Sequence, residues 1–510
     1  MPSLPALRPI LFMLLSAALV VAAAQAEALS FLALLWLIPL CLALQGTTNA
    51  LWAALLAGSC ATLFWAGATG WLVHSVTGFT QAAWPLALLL FLLFCLLQAA
   101  PYALFGFLYR HFRWHQGRLG PWQAAATLTI LVQGFPIPLP ASPFHLLSAY
   151  PTLAAITAIS GLSILIFSCT LLQCSLASAF DTRSRIWRIH LSIALAIVLL
   201  LAGYGTHRQQ ALEREKRSAG ASHWITIALV QPNLHREDSV EPLYQLSRQL
   251  LEGKPKPDLL VWPELPPAFS VVENRRDRQQ TLQIATDYQQ AMLVSSGYVY
   301  VKRGKTRYRD RYHNAAHLIR NAEVVASYHK QRLVPFFEYL PLPAVQNRLV
   351  RWFPGTLRYL PGNSAKPLQL NNTVRIIPLI CFEAIFPDIV SPFLEEGGNI
   401  IINPVSDAWF GESQGTRLHL ALARFRSVEH NLPWVRVSNS GMSVIVEADG
   451  QITPGSLAPT NQSVTARHRV FIPQQRTLYS QYGDWLLPLL LALLFCTFVL
   501  SLTKKQGRTP

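Results

Sequence analysis

Charge is almost absent from the first 206 residues of this chain. They hold two acidic side chains, Glu27 and Asp181, and seven basic ones, Arg8, Arg110, Arg113, Arg118, Arg183, Arg185 and Arg188. A soluble domain carries about 25% charged residues, so this stretch cannot cover itself with a water-facing surface. A helix that crosses a bilayer needs about 20 mostly apolar residues. Eight segments meet or approach that requirement, at about 9–25, 29–44, 50–73, 85–108, 121–135, 152–179, 187–204 and 484–502. The fifth is short and runs into the proline-rich stretch Phe135 to Pro140.

The few charges set an orientation. Arginines follow the fourth segment (Arg110, Arg113, Arg118) and the sixth (Arg183, Arg185, Arg188), and Lys504, Lys505 and Arg508 follow the eighth. The loops after the first, third and fifth carry no Lys or Arg. Positive loops stay on the cytoplasmic side. With eight spans every basic cluster falls on that side, both termini are cytoplasmic, and the region between spans seven and eight lies outside. The basic stretch Arg208 to Arg217 opposes this locally, but long translocated domains obey the rule weakly. Arg8 and the small-residue run Ala24-Gln25-Ala26 imitate a secretory signal; another apolar segment follows at once, so a span is expected there. The expected organisation is membrane helices over 1–206, an external domain over 222–475, a last span over 484–502 and a basic tail over 503–510.

The external region reads as α/β. Strand-like runs lie at Ile225–Val230, Leu259–Trp262, Val294–Tyr300, Val374–Ile380, Ile400–Ile402, Val435–Val437 and Met442–Val446, with helical patterns at Pro242–Leu251 and Arg417–His430. About 250 residues suffice for one packed, layered domain.

Three short motifs in it could carry chemistry. Cys381 ends the apolar run Arg375 to Ile380 and precedes Phe382-Glu383, and strand ends open into the crevice where α/β proteins place ligands. Of seven cysteines it alone lies in the hydrophilic region. It has no disulfide partner there, so an inert buried thiol and a nucleophile are equally good readings. Glu264, in Val261-Trp262-Pro263-Glu264, ends a second strand; an ordinary surface acid or a general base fits, since only a thiolate attacks. Lys330 follows the strand-like Val324 to Tyr328. It is either a solvated lysine or a fixed charge for a thiolate and an oxyanion, which Glu338 could hold in place.

Together these motifs resemble the nitrilase superfamily. Glu264 in W-P-E, Lys330 in Y-H-K-Q-R-L-V-P-F and Cys381 in I-C-F-E stand in its order and spacing. Gln231-Pro232-Asn233, Pro335 to Pro341, Asn403 to Gly411, His419, Ala423-Arg424, Glu429 and Arg436 to Gly441 add to the match. With seven spans before and one after, the chain resembles the apolipoprotein N-acyltransferase family over essentially its whole length. It departs from the family's pattern at Thr129 to Gln133, Phe337, Phe382 and Ser406. The resemblance implies a helical transmembrane bundle of about eight spans joined to a nitrilase-like αββα sandwich.

It also implies a ping-pong acyl transfer. Glu264 deprotonates Cys381, which takes an acyl chain from a phospholipid, typically phosphatidylethanolamine. Lys330 and a backbone N–H near Phe382 hold the oxyanion, with Glu338 and Glu383 supporting. The α-amine of a diacylglyceryl-cysteine at an apolipoprotein's N-terminus then takes the acyl group, and no metal or cofactor is needed. The implied location is the bacterial inner membrane, with the catalytic domain periplasmic. Trp262, Trp352, Phe353, Trp409 and Phe410, with Tyr359, are candidate substrate contacts; ordinary domain packing explains such aromatics equally well. A membrane-bound amidase, or an acyltransferase for a different amine, would use the same three residues. A transporter would need ionisable residues at mid-span, and the arginines sit at loop ends.

Overall fold

The computed structural model describes residues 4–116, 118–180, 186–235, 238–264, 269–299, 312–411 and 413–506. Arg183, Arg185 and Arg508 of the basic clusters, and Tyr300 at the end of one expected strand, lie outside them. The chain divides into two compact units. One comprises Met1–Gly70, Leu88–Gln209 and Arg476–Pro510; the other comprises Trp71–Ala87 and Gln210–Gln475.

The first unit is helical. Among the described residues, six helices are long and apolar enough to cross a membrane: Leu7–Gln25, Glu27–Gln45, Ala50–Thr69, Trp84–His111, Thr157–Ala179 and Arg188–Ser218. The expected fifth span is the 15-residue helix Gly120–Gly134. At 1.5 Å per residue it is about 22 Å long, short of a hydrocarbon core of about 30 Å. Leu486–Thr497 is also a shorter apolar helix.

Leucines such as Leu11, Leu55, Leu89, Leu96, Leu199 and Leu491 stand exposed. That is the surface lipid tolerates and water does not. Backbone groups freed at helix breaks find partners inside the unit, as a lipid solvent demands. Where the 3-10 turn Glu27–Leu34 hands over to Leu37–Gln45, the Leu37 N–H donates to Gln173 Oε1 at 2.8 Å. At the break in Thr157–Ala179, Gly161 takes φ +62°, and Ser160 Oγ accepts from the Leu486 N–H at 2.9 Å while donating to Asp484 Oδ1 at 3.1 Å.

The second unit is a two-sheet sandwich. Its strands are β1 (Trp224–Gln231), β2 (Leu259–Val261), β3 (Met292–Val299), β4 (Tyr312–Arg320), β5 (Glu323–His329), β6 (Leu368–Gln369), β7 (Arg375–Pro378), β8 (Ile400–Val405), β9 (Trp434–Ser438), β10 (Val444–Val446) and β11 (Val464–Phe471). One sheet runs β11-β1-β2-β3-β4-β5 and the other β10-β9-β8-β7-β6. In the second, β7, β8 and β9 are parallel. Parallel strands are covered on both faces and read as unbroken apolar runs; Ile-Ile-Ile-Asn-Pro-Val of β8 is buried throughout.

Ile227, Leu229, Val261 and Leu318 of the first sheet share one apolar core with Ile376, Ile402, Val435 and Val437 of the second. A separate cluster on the first sheet's other face gathers Leu243 and Tyr244 of the helix Glu241–Glu252 and Ile284 of Arg275–Asp287. Helix Gly415–His430 packs with the second sheet through Leu420 and Ala423.

The segment Trp71–Ala87 groups with this sandwich. In sequence it reads as the end of one span and the approach to the next. Its helix Leu72–Thr80 is instead part of the unit that holds the chemistry.

Candidate active site

Strand direction brings the three motifs together. β2 and β3 are parallel, β4 reverses and β5 reverses again. Glu264 and Lys330 therefore both follow the carboxyl ends of strands in the first sheet. Cys381 follows β7, and Asp407 follows its parallel neighbour β8.

Lys330 is the centre of the cluster and is only 1% exposed. Its Nζ donates to Glu338 Oε1 at 2.8 Å and lies 3.6 Å from Glu264 Oε1. Asn314, on β4, ties the two carboxylates together: Nδ2 donates to Glu264 Oε1 at 2.6 Å and to Glu338 Oε1 at 3.2 Å. The backbone N–H of Ser406 donates to Glu264 Oε2 at 3.0 Å, and that of Val334 to Glu338 Oε2 at 2.8 Å. Burial works against the charge on Lys330, but the Glu338 and Glu264 carboxylates outweigh it and hold its pKa above the ordinary value. Burial pushes Glu264 up, against the pull of Lys330.

Cys381 opens the 3-10 turn Cys381–Ile385 with φ +53°, a left-handed conformation that costs a non-glycine residue about 1–2 kcal/mol. Its thiol lies within the electrostatic reach of both Glu264 and Lys330. Burial first, and then the Glu264 charge, raise the thiol's pKa well above normal, with Lys330 opposing. The resting form of Cys381 is therefore the thiol. Moving the proton to Glu264 removes the charge that disfavours the thiolate and leaves it near a permanent cation.

The other expected site residues fall in three places. Glu383 stands behind the nucleophile's turn and touches neither Glu264 nor Lys330. Its Oε1 accepts from Tyr328 Oη at 2.7 Å, Gln331 N at 2.6 Å and Arg332 N at 3.1 Å, and its Oε2 accepts from Ile380 N at 2.7 Å. It clamps the Cys381 turn to the segment that follows β5. Burial pushes its carboxyl up to about 7 against the Lys330 charge and those donors.

Trp409 lies against Phe79 at a tilt, with centroids 4.0 Å apart, and meets Phe337 edge-on at 5.1 Å. Phe410 lies between Trp71 at 4.8 Å and His419 at 5.7 Å. Ser75 Oγ donates to the Trp409 carbonyl, and Gly355 N donates to the Thr80 carbonyl at 3.0 Å. Helix Leu72–Thr80 thus braces the loop after β8.

Phe382 packs on Phe386 at 5.1 Å. Phe353 is buried against Phe336 at 5.0 Å, while Trp352 is 58% exposed on the helix Gln346–Trp352. Tyr359 contributes its backbone, donating to the Glu338 carbonyl at 2.6 Å. Trp262 corrects an expectation. It is fully buried in the helix-covered core, with Nε1 donating to Ser247 Oγ at 2.9 Å, so it supports β2 from behind and does not face a substrate.

Sequence reasoning missed Asn314, because β4 is too interrupted by polar side chains to read as a strand. A lone uncharged amide between His313 and the pair Ala315-Ala316 was the available signal. It also missed Phe79, which sits among residues that read as membrane-associated.

Residues 226–467 match the carbon-nitrogen hydrolase family model. Solved structures that resemble the chain include a carbon-nitrogen hydrolase from Helicobacter pylori (17% identity, 49% of this chain and 90% of that one, TM-score 0.38). Another is an amidase from Nesterenkonia (19%, 52% and 94%, TM-score 0.38). The two-sheet sandwich with the Glu264–Lys330–Cys381 cluster is a carbon-nitrogen hydrolase domain.

Longer matches reach into the helical unit. An apolipoprotein N-acyltransferase of Brucella melitensis is 30% identical over 348 residues, 65% of this chain and 62% of that protein. One of Caulobacter vibrioides is 29% identical, covering 76% and 72%, and one of Rickettsia typhi 30% identical, covering 68% of each. The chain belongs to the apolipoprotein N-acyltransferase family. It aligns with about three-fifths of the Brucella protein's length.

Proposed function

We propose that this protein transfers a fatty acyl chain from a phospholipid, through a thioester on Cys381, to the N-terminal amine of a diacylglyceryl apolipoprotein. The observation that carries the proposal is the convergence of Cys381, Glu264 and a buried Lys330 in a chain with six helices of membrane-crossing length and composition.

In the first half-reaction Glu264 takes the Cys381 proton and the sulfur attacks the ester carbonyl. The carbonyl oxygen becomes an oxyanion, stabilised by Lys330 and the Phe382 N–H. Stabilising charge that appears only in the transition state is where a fixed cation contributes most. Collapse breaks the ester C–O bond, and the lysophospholipid leaves with the proton from Glu264. In the second half-reaction the apolipoprotein amine attacks the thioester and gives its proton to Glu264. The C–S bond breaks, an amide forms, and the thiolate recovers its proton. Glu338 holds Lys330 in place, and Glu383 holds the turn that carries Cys381. Trp409, Phe410, Phe353 and Trp352 are the proposed apolar contacts for the acyl donor.

Phosphatidylethanolamine is the proposed donor. Both substrates carry chains that cost about 0.8 kcal/mol per CH₂ to bring into water, which favours an enzyme that meets them in the bilayer. The proposed setting is the bacterial inner membrane. The membrane helices within residues 1–206 and 484–502 cross the bilayer, residues 222–475 lie in the periplasm together with Leu72–Thr80, and the basic tail lies in the cytoplasm, where positive loops are retained.

Mass spectrometry of the protein mixed with phosphatidylethanolamine is the test. The expected result is one acyl mass on Cys381, discharged as an amide on addition of a diacylglyceryl-cysteine peptide. Discharge to water as free fatty acid, with the peptide unchanged, would make the protein a hydrolase; no acyl mass on Cys381 would refute the thioester.

A further inference from the structure

Cys381 keeps its left-handed backbone through contacts on its carbonyl. That oxygen lies 3.3 Å from Asn403 Nδ2 and 3.3 Å from His419 Nε2. Asn403 is shared, since its Nδ2 also donates to the Leu379 carbonyl. His419, on the helix Gly415–His430, gives its Nε2 to the Cys381 carbonyl alone among its recorded partners.

The protonation of this imidazole follows from its neighbours. A carbonyl only accepts, so Nε2 must carry a hydrogen. Nδ1 lies 3.4 Å from Nη1 and Nη2 of Arg436 and 3.4 Å from Asp407 Oδ1. Both Asp407 oxygens already accept from Arg436 Nη2, at 2.7 and 2.6 Å, and Oδ2 also accepts from Ser438 Oγ at 3.2 Å. A guanidinium only donates and does not lose its proton. A neutral ring with Nδ1 accepting from Arg436 and Nε2–H donating to Cys381 satisfies every partner; a second buried cation beside Arg436 does not. Burial and the Arg436 charge push the His419 pKa down.

The peptide between Cys381 and Phe382 is planar and trans, so its C=O and N–H point in opposite directions. Holding the Cys381 oxygen from one side aims the Phe382 N–H to the other. Among the described residues, that N–H has no recorded acceptor. We infer that His419 is a positioning residue for acyl transfer: with its tautomer set by Arg436 and Asp407, it holds the Cys381 carbonyl and thereby aims the Phe382 N–H at the developing oxyanion. The inference rests on the reading of Cys381 as an acyl-accepting nucleophile.

Two substitutions separate aim from packing. The amide nitrogen of Gln reaches the place of Nε2, and that of Asn only the place of Nδ1. Removing an oxyanion donor costs about 10²–10³ in rate, and loosening its aim costs a part of that. His419→Asn is expected to lower kcat about 10–100-fold with KM within about twofold, and His419→Gln to recover to within about fivefold of the parent. Alkylation of Cys381 by iodoacetamide, which needs a thiolate and no oxyanion hole, is expected to stay within about twofold in both.

The rates are measured with phosphatidylethanolamine and, separately, with a soluble p-nitrophenyl ester. Acylation of the parent by the ester but not by the phospholipid would overturn the proposed donor and leave this inference open to the same comparison. Equal rates for Gln and Asn, or an equal loss in acylation and alkylation, would overturn the inference. If His419→Asn fails to fold, His419→Gln with raised KM and unchanged kcat would overturn it equally.

Discussion

Lys330 has two carboxylates as neighbours and almost no water, and that arrangement decides what its removal does. Lys330→Met leaves Glu264 and Glu338 buried, tied together by Asn314 with no cation between them. Breaking a buried pair typically costs about 3–5 kcal/mol. The single variant is expected to lose both folding stability and acylation. Adding Glu338→Gln is expected to restore much of the stability, read by thermal melting in detergent, and none of the acylation. Recovery of turnover in the double variant would show that the cation is structural.

Cys381→Ala is expected to abolish the acyl-enzyme mass and to lower turnover by at least about 10⁴-fold, the scale on which lost nucleophiles act, while melting stays near that of the parent. Glu383 offers a pH test. Its folded pKa, about 7, lies above the 4.5 of an ordinary glutamate, so the folded state binds this proton more tightly than the unfolded one. The stability it contributes is complete below about pH 4.5 and falls as pH rises to 7. Glu383→Gln removes the titration and sets an amide N–H against the Ile380 N–H. The variant is expected to be less stable at low pH by about 1–3 kcal/mol, with a flatter dependence between pH 4.5 and 7. Parallel melting profiles for the two proteins would contradict this.

At the scale of elements, the loop after β8 is held from two sides. Inside, Arg436 and Asp407 pair beneath Gly441. A Cβ at Gly441 would lie 1.8 Å from Asp407 Oδ2, so Gly441→Ala must displace that carboxylate. The expected outcome is a loss of acylation comparable to that of His419→Asn, with Cys381 still alkylated. Outside, helix Leu72–Thr80 supports Trp409 through Phe79. An aromatic pair is worth about 0.5–1.5 kcal/mol, so Phe79→Ala and Trp409→Ala are each expected to weaken use of the phospholipid about 2–10-fold. The p-nitrophenyl ester should be used nearly as well as before. Unchanged phospholipid rates in both would remove Trp409 from the acyl contacts.

Strand and helix expectations in the sandwich were met where side-chain pattern was strong. The runs at Ile225, Leu259, Ile400 and Val435 became β1, β2, β8 and β9, and Arg417–His430 became the helix Gly415–His430. The elements that escaped notice were weakly patterned. β4 mixes His and Asn with alanine, and β11 sets Arg and His among its apolar residues with only its last two buried. Edge strands and polar site strands do not need continuous apolar sequence, so they do not announce themselves.

On the scale of the whole molecule, the charge distribution makes a claim about sidedness. A reporter enzyme active only after export is expected to work when fused after residue 220 and to fail when fused after Gln506. The reverse result would invert the proposed topology.

The amino-acid order alone determined a good deal. Long apolar runs can be satisfied only as buried or lipid-facing helices, because nothing else hides their backbone from lipid. The Glu264 and Cys381 motifs were visible because each follows a strong apolar strand, and Lys330 because it follows the strand-like Val324 to Tyr328. Tertiary structure decided the rest. Whether Lys330 is a solvated lysine or a buried cation depends on Glu264, which follows β2, and Asn314, on β4, arriving beside the Glu338 that its own segment supplies. Whether Trp262 meets a substrate depends on which face of β2 it occupies, and it faces the core. That Leu72–Thr80 belongs with the sandwich depends on packing against Trp409 and Gly355, more than 270 residues away. Local sequence encodes periodicity and end signals; it does not encode which distant side chain will supply the compensating charge or the covering ring.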